Sequence, residues 1–243
     1  MQKWVNMVEV NCAASREAEF HDWYNNVHIV DRMKTTGYTG IRRYEAKEIR
    51  DGRGKFLAVW GVESDDLDGT LKSRLADRTV EEKAGRSSGA RNNLTTPIWR
   101  DVFWRQISEQ VVSGYKRSGR QRWVNLIELH CSPGREVEFH EWYENIHIPD
   151  ILKSPGYAGV RRYEIRDARD GRGKYLAIYY IESDDIDETM RIRRANREIE
   201  AKLGRSSASR NDLIMSVWRD VLWKEIHEYV NPGKEATGSP FAC

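Results

Sequence analysis

Apolar and polar positions alternate in part from Trp4 to Asn11. Trp4, Asn6, Val8 and Val10 fall on one face of an extended segment, and Val5, Met7, Glu9 and Asn11 on the other. A period of two predicts a strand. The period then lengthens: Phe20, Trp23, Tyr24 and Val27 follow at helical spacing, so a helix packed through an aromatic stripe is expected. Ser15 and the acidic run Glu17 to Glu19 mark its start, and Gly37 its end. Gly40 to Ile49 and Lys55 to Glu63 read as strands joined at Asp51-Gly52, a hairpin signal. Asp65 to Lys83 predicts a second helix with Leu67, Leu71 and Leu75 on its apolar side. The polar run GRSSGARNN leads to a last strand, IWRDVFW. The order β-α-β-β-α-β is that of a ferredoxin-like unit in an α+β fold.

The whole pattern occurs twice. Trp4 to Ile107 recurs without a gap as Trp123 to Ile226, at a constant offset of 119 residues, with more than half of the paired positions identical. A period this long is a duplicated domain rather than a solenoid. The expected organisation is a first repeat over 1–108, a linker over 109–121 rich in Ser, Gly, Lys and Arg, a second repeat over 122–230 and a disordered tail over 231–243. Strand Phe56 to Val62 is apolar on both faces, while the helices of one repeat cover only one face of its sheet. The other repeat is the natural second cover, which implies two sheets facing one another in a pseudo-dimeric α+β barrel.

Composition narrows the classes. Lys plus Arg number 40 and Asp plus Glu 38, a formal charge of +2, which gives no footprint for nucleic acid. No apolar run approaches the ~20 residues that cross a bilayer, so no membrane partner is expected. Three cysteines, Cys12, Cys131 and Cys243, lie outside any CxxC arrangement, and a reduced, cytoplasmic protein is expected. His21 and His28 are seven apart, and neither HExxH nor a cysteine cluster is present, so no metal site is read. Some tandem α+β barrels bind haem through one histidine; no haem signature is present here. No cofactor is expected.

The run EFHDWYNNVHIVDRMKTTGYTGIRRYE and its copy EFHEWYENIHIPDILKSPGYAGVRRYE resemble the EthD-like branch of the dimeric α+β barrel superfamily. The resemblance covers nearly all of both repeats. It implies a small lyase, isomerase or cyclase without a cofactor, or a protein of unknown activity. Isomerases of this superfamily place a helix-end His and a Tyr of the next strand in the barrel pocket. By motif these are His28 with Tyr44, and His147 with Tyr163. The first copy departs from the pattern, with Val30 and Thr36 where the second has Pro149 and Pro155.

These residues suggest a chemistry. A neutral imidazole near pH 7 can take or give a proton. Tyr24 and Tyr143 lie beside the histidines on the helix and are candidate substrate contacts. Tyr44 shares a strand face with Arg42, and Tyr163 with Arg161; a phenol and a guanidinium side by side can hold a carboxylate or enolate oxygen. The bland alternatives are helix-end histidines bonded to backbone, solvent-facing arginines and core tyrosines. The expected function is proton transfer beside a carbonyl of a small organic acid, lactone or polyketide-like substrate, with a cofactor-free quinone-forming monooxygenase or a non-catalytic binding barrel as alternatives. A homo-oligomer of the fused pair is a further expectation. Pro149 is expected to break the second helix directly after His147 and to make that histidine the working one.

Overall fold

The computed structural model describes residues 1–49, 54–91, 93–167 and 173–232, and for 96–99 the backbone alone. The turn expected at Asp51-Gly52, its copy at Asp170-Gly171, Cys243 and the tail from 233 lie outside the described residues. The first repeat runs β1 (Lys3–Cys12), α1 (Glu17–Trp23), a wide turn Tyr24–His28, α2 (Ile29–Arg32), β2 (Tyr38–Ala46), β3 (Phe56–Glu63), α3 (Leu67–Lys83) and β4 (Thr95–Val111). The second runs β5 (Arg122–Cys131), α4 (Glu136–Trp142), a wide turn Tyr143–His147, α5 (Ile148–Leu152), β6 (Tyr157–Ile165), β7 (Tyr175–Glu182), α6 (Ile186–Lys202) and β8 (Ile214–Val230). The eight strands are hydrogen-bonded in the order β1-β3-β2-β8-β5-β7-β6-β4. Among the described residues no helix is long and apolar enough to cross a membrane.

The chain divides into two compact units whose limits differ from those of the repeats. Unit 1 comprises Met1–Arg105 together with the stretch that begins at Glu225; unit 2 comprises Gln106–Lys224. The expected last strand, IWRDVFW, is 17 residues long in both copies, and its final turn of sequence leaves its own repeat. Glu109 near the end of β4 pairs with Arg161 of β6 at 2.9 Å, and Glu228 near the end of β8 pairs with Arg42 of β2 at 2.7 Å. The segment expected as a loose linker is likewise held within unit 2: Ser118 N–H donates to Glu182 at 2.7 Å. Asn231 in unit 1 donates to the carbonyls of Met33 and Tyr38, both at 3.1 Å, so the expected tail is anchored at its start.

Within unit 1, the face of β1–β3 that carries Val8, Val10, Phe56, Ala58 and Trp60 meets Phe20, Trp23 and Tyr24 in one core. Unit 2 repeats this with Leu129, Tyr175, Ala177 and Tyr179 against Phe139, Trp142 and Tyr143. Two local expectations change. Ser15 is not a cap: it has φ +63°, where its copy is Gly134 at +76°, so it turns the chain in the left-handed region and α1 starts with no side-chain cap. The leucine stripe of α3 holds at Leu67 and Leu71 and fails at Leu75, which is exposed while Arg74 and Glu81 are buried and paired. The same buried pair in α6 is bidentate, with Arg193 donating to Glu200 at 2.6 and 2.8 Å. Such a fork satisfies both charges where a lone one would be costly.

Gly173 follows the β6–β7 turn, and a Cβ there would lie 2.5 Å from the backbone nitrogen of Leu129. Backbone cannot swing aside as a side chain can. Gly173→Ala is therefore expected to cost about 1–3 kcal/mol, in the range of overpacked interiors. Equal urea midpoints for the variant and the parent would show that the turn relaxes freely.

Candidate functional site

Among the described residues each unit holds a cavity between its helices and its sheet that is walled by a histidine at the end of the wide turn. That turn is a π-turn: Ile29 N–H reaches Tyr24 C=O, and Ile148 N–H reaches Tyr143 C=O, five residues back. The inserted residue rotates the helix face by about 100°, a little over a quarter of a turn. His28 stays with Trp23 and Tyr24, whereas His21 is carried away to Arg43, 2.9 Å distant. His140 pairs with Arg162 in the same way. The two histidines seven apart therefore do not share one pocket.

The break expected after His147 is absent. Ile148 is helical, with φ −62° and ψ −51°, and α5 continues through Pro149. A proline costs a helix its i−4 bond and crowds the carbonyl behind it. Here the π-turn has already given up the regular ladder, so the proline removes little. Both histidines are consequently delivered alike. His28 stacks on Trp23 at 5.0 Å and His147 on Trp142 at 4.7 Å, and both are buried.

Neither Nδ1 has a hydrogen-bond partner although both are buried. Burial, then the cations of Arg193, Arg197 and Arg162, hold the His147 pKa down to about 3, with Asp150 opposing. Burial and then Arg32, Arg74 and Arg43 hold His28 well below its ordinary value. Both imidazoles are thus neutral at pH 7. The same burial raises the phenols of Tyr24 and Tyr143.

The cavity of unit 2 measures 260 Å³ and that of unit 1 160 Å³. In unit 2, Tyr143, Tyr157 and Tyr179 give aromatic walls, with Arg193, Arg194 and Arg197 of α6 on one side and Asn125 and Asp220 on the sheet. Tyr179 donates to the Tyr143 oxygen at 2.9 Å. Burial raises the Asp220 carboxyl, which takes a hydrogen bond from Asn125. Ligand pockets commonly measure ~300–1,000 Å³. Cavities of this size suit a compact aromatic and do not fit a haem macrocycle. Among the described residues no group of three or more His, Cys, Asp or Glu side chains comes together as a metal site.

The sequence grouped His147 with Tyr163 and Arg161, and His28 with Tyr44 and Arg42. The structure separates them. Arg162 points to the helices, touching Tyr143 and His140, so its neighbours Arg161 and Tyr163 face the other side of the sheet. Arg161 is spent on Glu109 and Arg42 on Glu228, and Tyr163 and Tyr44 are buried outside the two cavities. Tyr143 and Tyr24 do line the cavities, as expected of substrate contacts. Asn125, Tyr157, Tyr179 and Asp220 were missed. The alternation of β5 placed Asn125 on the face of Ile127 and Leu129, a polar residue in an apolar row, which was the available signal. The GRSS loops also have an assignment: Arg86 binds Asp31 at 2.8 Å and Arg205 binds Asp150 at 2.7 Å, pinning each loop to the short helix after its histidine.

No family model matches the chain, and none of the curated proteins compared with it matches. Solved structures do. An anthrone oxidase-like protein superposes with a TM-score of 0.59 at 16% identity, covering 98% of this chain and 97% of that one. A proposed monooxygenase from Fusobacterium nucleatum gives 0.58 at 12% identity, with 94% of each chain covered. A chlorite dismutase variant from Candidatus Nitrospira defluvii gives 0.58 at 10%, covering 93% and 91%. At these identities the likeness is one of fold. The chain is a mixed α+β protein with an eight-stranded antiparallel sheet, and its structural neighbours are of the dimeric α+β barrel class.

Proposed function

We propose that this protein oxidises a small hydroxylated aromatic or anthrone-type compound to a quinone with molecular oxygen, without a bound cofactor, in the cavity that holds His147. The supporting observation is a neutral, buried imidazole with an unpartnered Nδ1, set in an aromatic-walled cavity under a ring of arginines. Positive charge that disfavours an imidazolium favours an anion in the same place. A substrate entering such a field loses its acidic proton more readily, and the resulting enolate is the electron-rich form that oxygen attacks. His147 accepts the proton, and the ion pair so formed offsets the burial, and after it the arginines, that kept the ring neutral. For an anthrone the balance is complete. Anthrone plus O2 gives anthraquinone plus water: one oxygen atom becomes the new carbonyl, and the other leaves with the two hydrogens of the CH2 group.

The fold likeness to proteins called a monooxygenase and anthrone oxidase-like favours this over the isomerase, lyase or cyclase reading. Those reactions share its first step, removal of a proton beside a carbonyl. The EthD-like resemblance and the reading of each repeat as ferredoxin-like belong to this proposal.

Oxygen uptake with anthrone tests it. The expected result is one O2 consumed per anthraquinone formed, in metal-chelated buffer, at a rate proportional to protein. Tight binding of anthrone with uptake no faster than in buffer would leave a binding protein and sink the oxidase.

A further inference from the structure

The two cavities keep the same asparagine, tyrosine, aspartate and histidine and differ at several other positions, one of which removes a cation. Asn6, Tyr38, Asp101 and His28 of unit 1 correspond to Asn125, Tyr157, Asp220 and His147 of unit 2, but Arg32 corresponds to Ile151. Arg32 reaches into its own cavity. One guanidinium nitrogen donates to Asn6 Oδ1 and, at 3.0 Å, to the Tyr38 hydroxyl. The flat guanidinium lies over the Trp60 ring, 4.2 Å from its centroid.

In unit 2 none of these contacts can be made by Ile151. Asn125 Oδ1 is buried without a partner. The orientation of that amide is fixed, because its nitrogen serves Asp220, as Asn6 Nδ2 serves Asp101 at 2.7 Å. The Tyr157 hydroxyl gives its proton to Met190 Sδ at 3.7 Å, so its lone pairs face outward as acceptors. A buried acceptor left unsatisfied is costly, so a donor that reaches it is favoured. The cavity around it is larger than that of unit 1 by about 100 Å³.

We propose that Arg32 is a built-in occupant of the first cavity, and that the second takes in its place one planar hydrogen-bond donor, a phenolic or enolic hydroxyl on an aromatic ring, anchored on Asn125 Oδ1. The contacts of Arg32 map the ligand: a flat group against the Tyr179 ring, giving its one hydroxyl proton to the asparagine oxygen. Only one of the two repeats then binds, and Asn125 selects for the hydroxyl. This deepens the oxidase reading by naming the recognised group, and it rests on the second cavity being a ligand site.

Anaerobic titration calorimetry with 2-naphthol and with 2-methoxynaphthalene separates the two, since no turnover is involved. The parent chain is expected to bind one 2-naphthol, with the methyl ether at least 10-fold weaker. Arg32→Ile should raise the stoichiometry to two, and Ile151→Arg should abolish binding. Asn125→Leu should bring the naphthol-to-ether ratio close to one while the ether still binds. Two sites in the parent chain, an unchanged single site in folded Arg32→Ile, or a hydroxyl preference that survives Asn125→Leu would each overturn the proposal. Binding as described with no oxygen uptake would leave it standing and remove the oxidase instead.

Discussion

His147→Gln is expected to lower turnover of anthrone by about 10²- to 10⁴-fold, the usual share of a general base. The imidazole is held by stacking on Trp142 and by the edge of Tyr143, not by hydrogen bonds from Nδ1. Its replacement therefore breaks no polar network, and glutamine keeps much of the volume. The melting temperature at pH 7.5 should change little. The loss should fall on kcat, with KM moved far less, because Asn125, Tyr157 and the aromatic walls that hold the ring system remain. His28→Gln should cost much less turnover, since Arg32 fills the corresponding cavity. Rates measured at saturating substrate decide this. If His147→Gln retains most of kcat, or if His28→Gln is the more damaging change, the base has been misplaced.

Much of this arrangement was legible in the chain. The 119-residue offset fixed the duplication, and periodicity found every long element, because alternation and helical spacing report burial directly. That His28 lies beside Tyr24, and His147 beside Tyr143, was legible too, since spacing along a helix determines neighbours. What failed were statements about faces and exchanges. Arg161, Arg162 and Tyr163 are consecutive, and nothing local says which of the two directions meets the helices; Arg162 does. The reach of β4 and β8 past their own repeats could not be read either, because a strand carries no mark of which neighbour its far end will join. The π-turn was invisible for a related reason: it shifts His21 off the face of His28 without altering composition. Arg32 against Ile151 stood in plain view as a mismatch between the copies, but its meaning depends on Arg32 reaching Asn6 while Ile151 lines the cavity of Asn125.

Acid should unfold this protein well before its carboxylates are protonated. The native His147 has a pKa of about 3, while an unfolded histidine titrates near its ordinary 6.5. Above pH 6.5 the ring is neutral in both states and contributes nothing to pH dependence. Between 6.5 and 3 the unfolded chain takes up a proton that the native ring refuses. Unfolding is then favoured as pH falls, by about 1.4 kcal/mol per pH unit for one imidazole. His28 is displaced in the same direction and adds to the slope. The paired carboxyls Asp31 and Asp150 are raised by burial, but bonds from Lys34 with Arg86, and from Arg205 with Lys153, outweigh it and leave both below the ordinary value. Their stabilisation is therefore lost only as pH drops below the ordinary range of an aspartate, later than that of the histidines. Asp220 runs the other way, since burial raises its carboxyl, and it blunts the slope in the lower part of the window. Urea midpoints from pH 7.5 to 4.5 should accordingly fall steadily in the parent chain. His147→Gln should remove about 1.4 kcal/mol per pH unit of that slope, and the double variant with His28→Gln should keep only the part that His21, His140 and His227, each also lowered first by burial, contribute. Parallel curves for parent and variants would mean that the imidazoles are protonated in the native state, and the neutral base at the centre of the proposed chemistry would go with them.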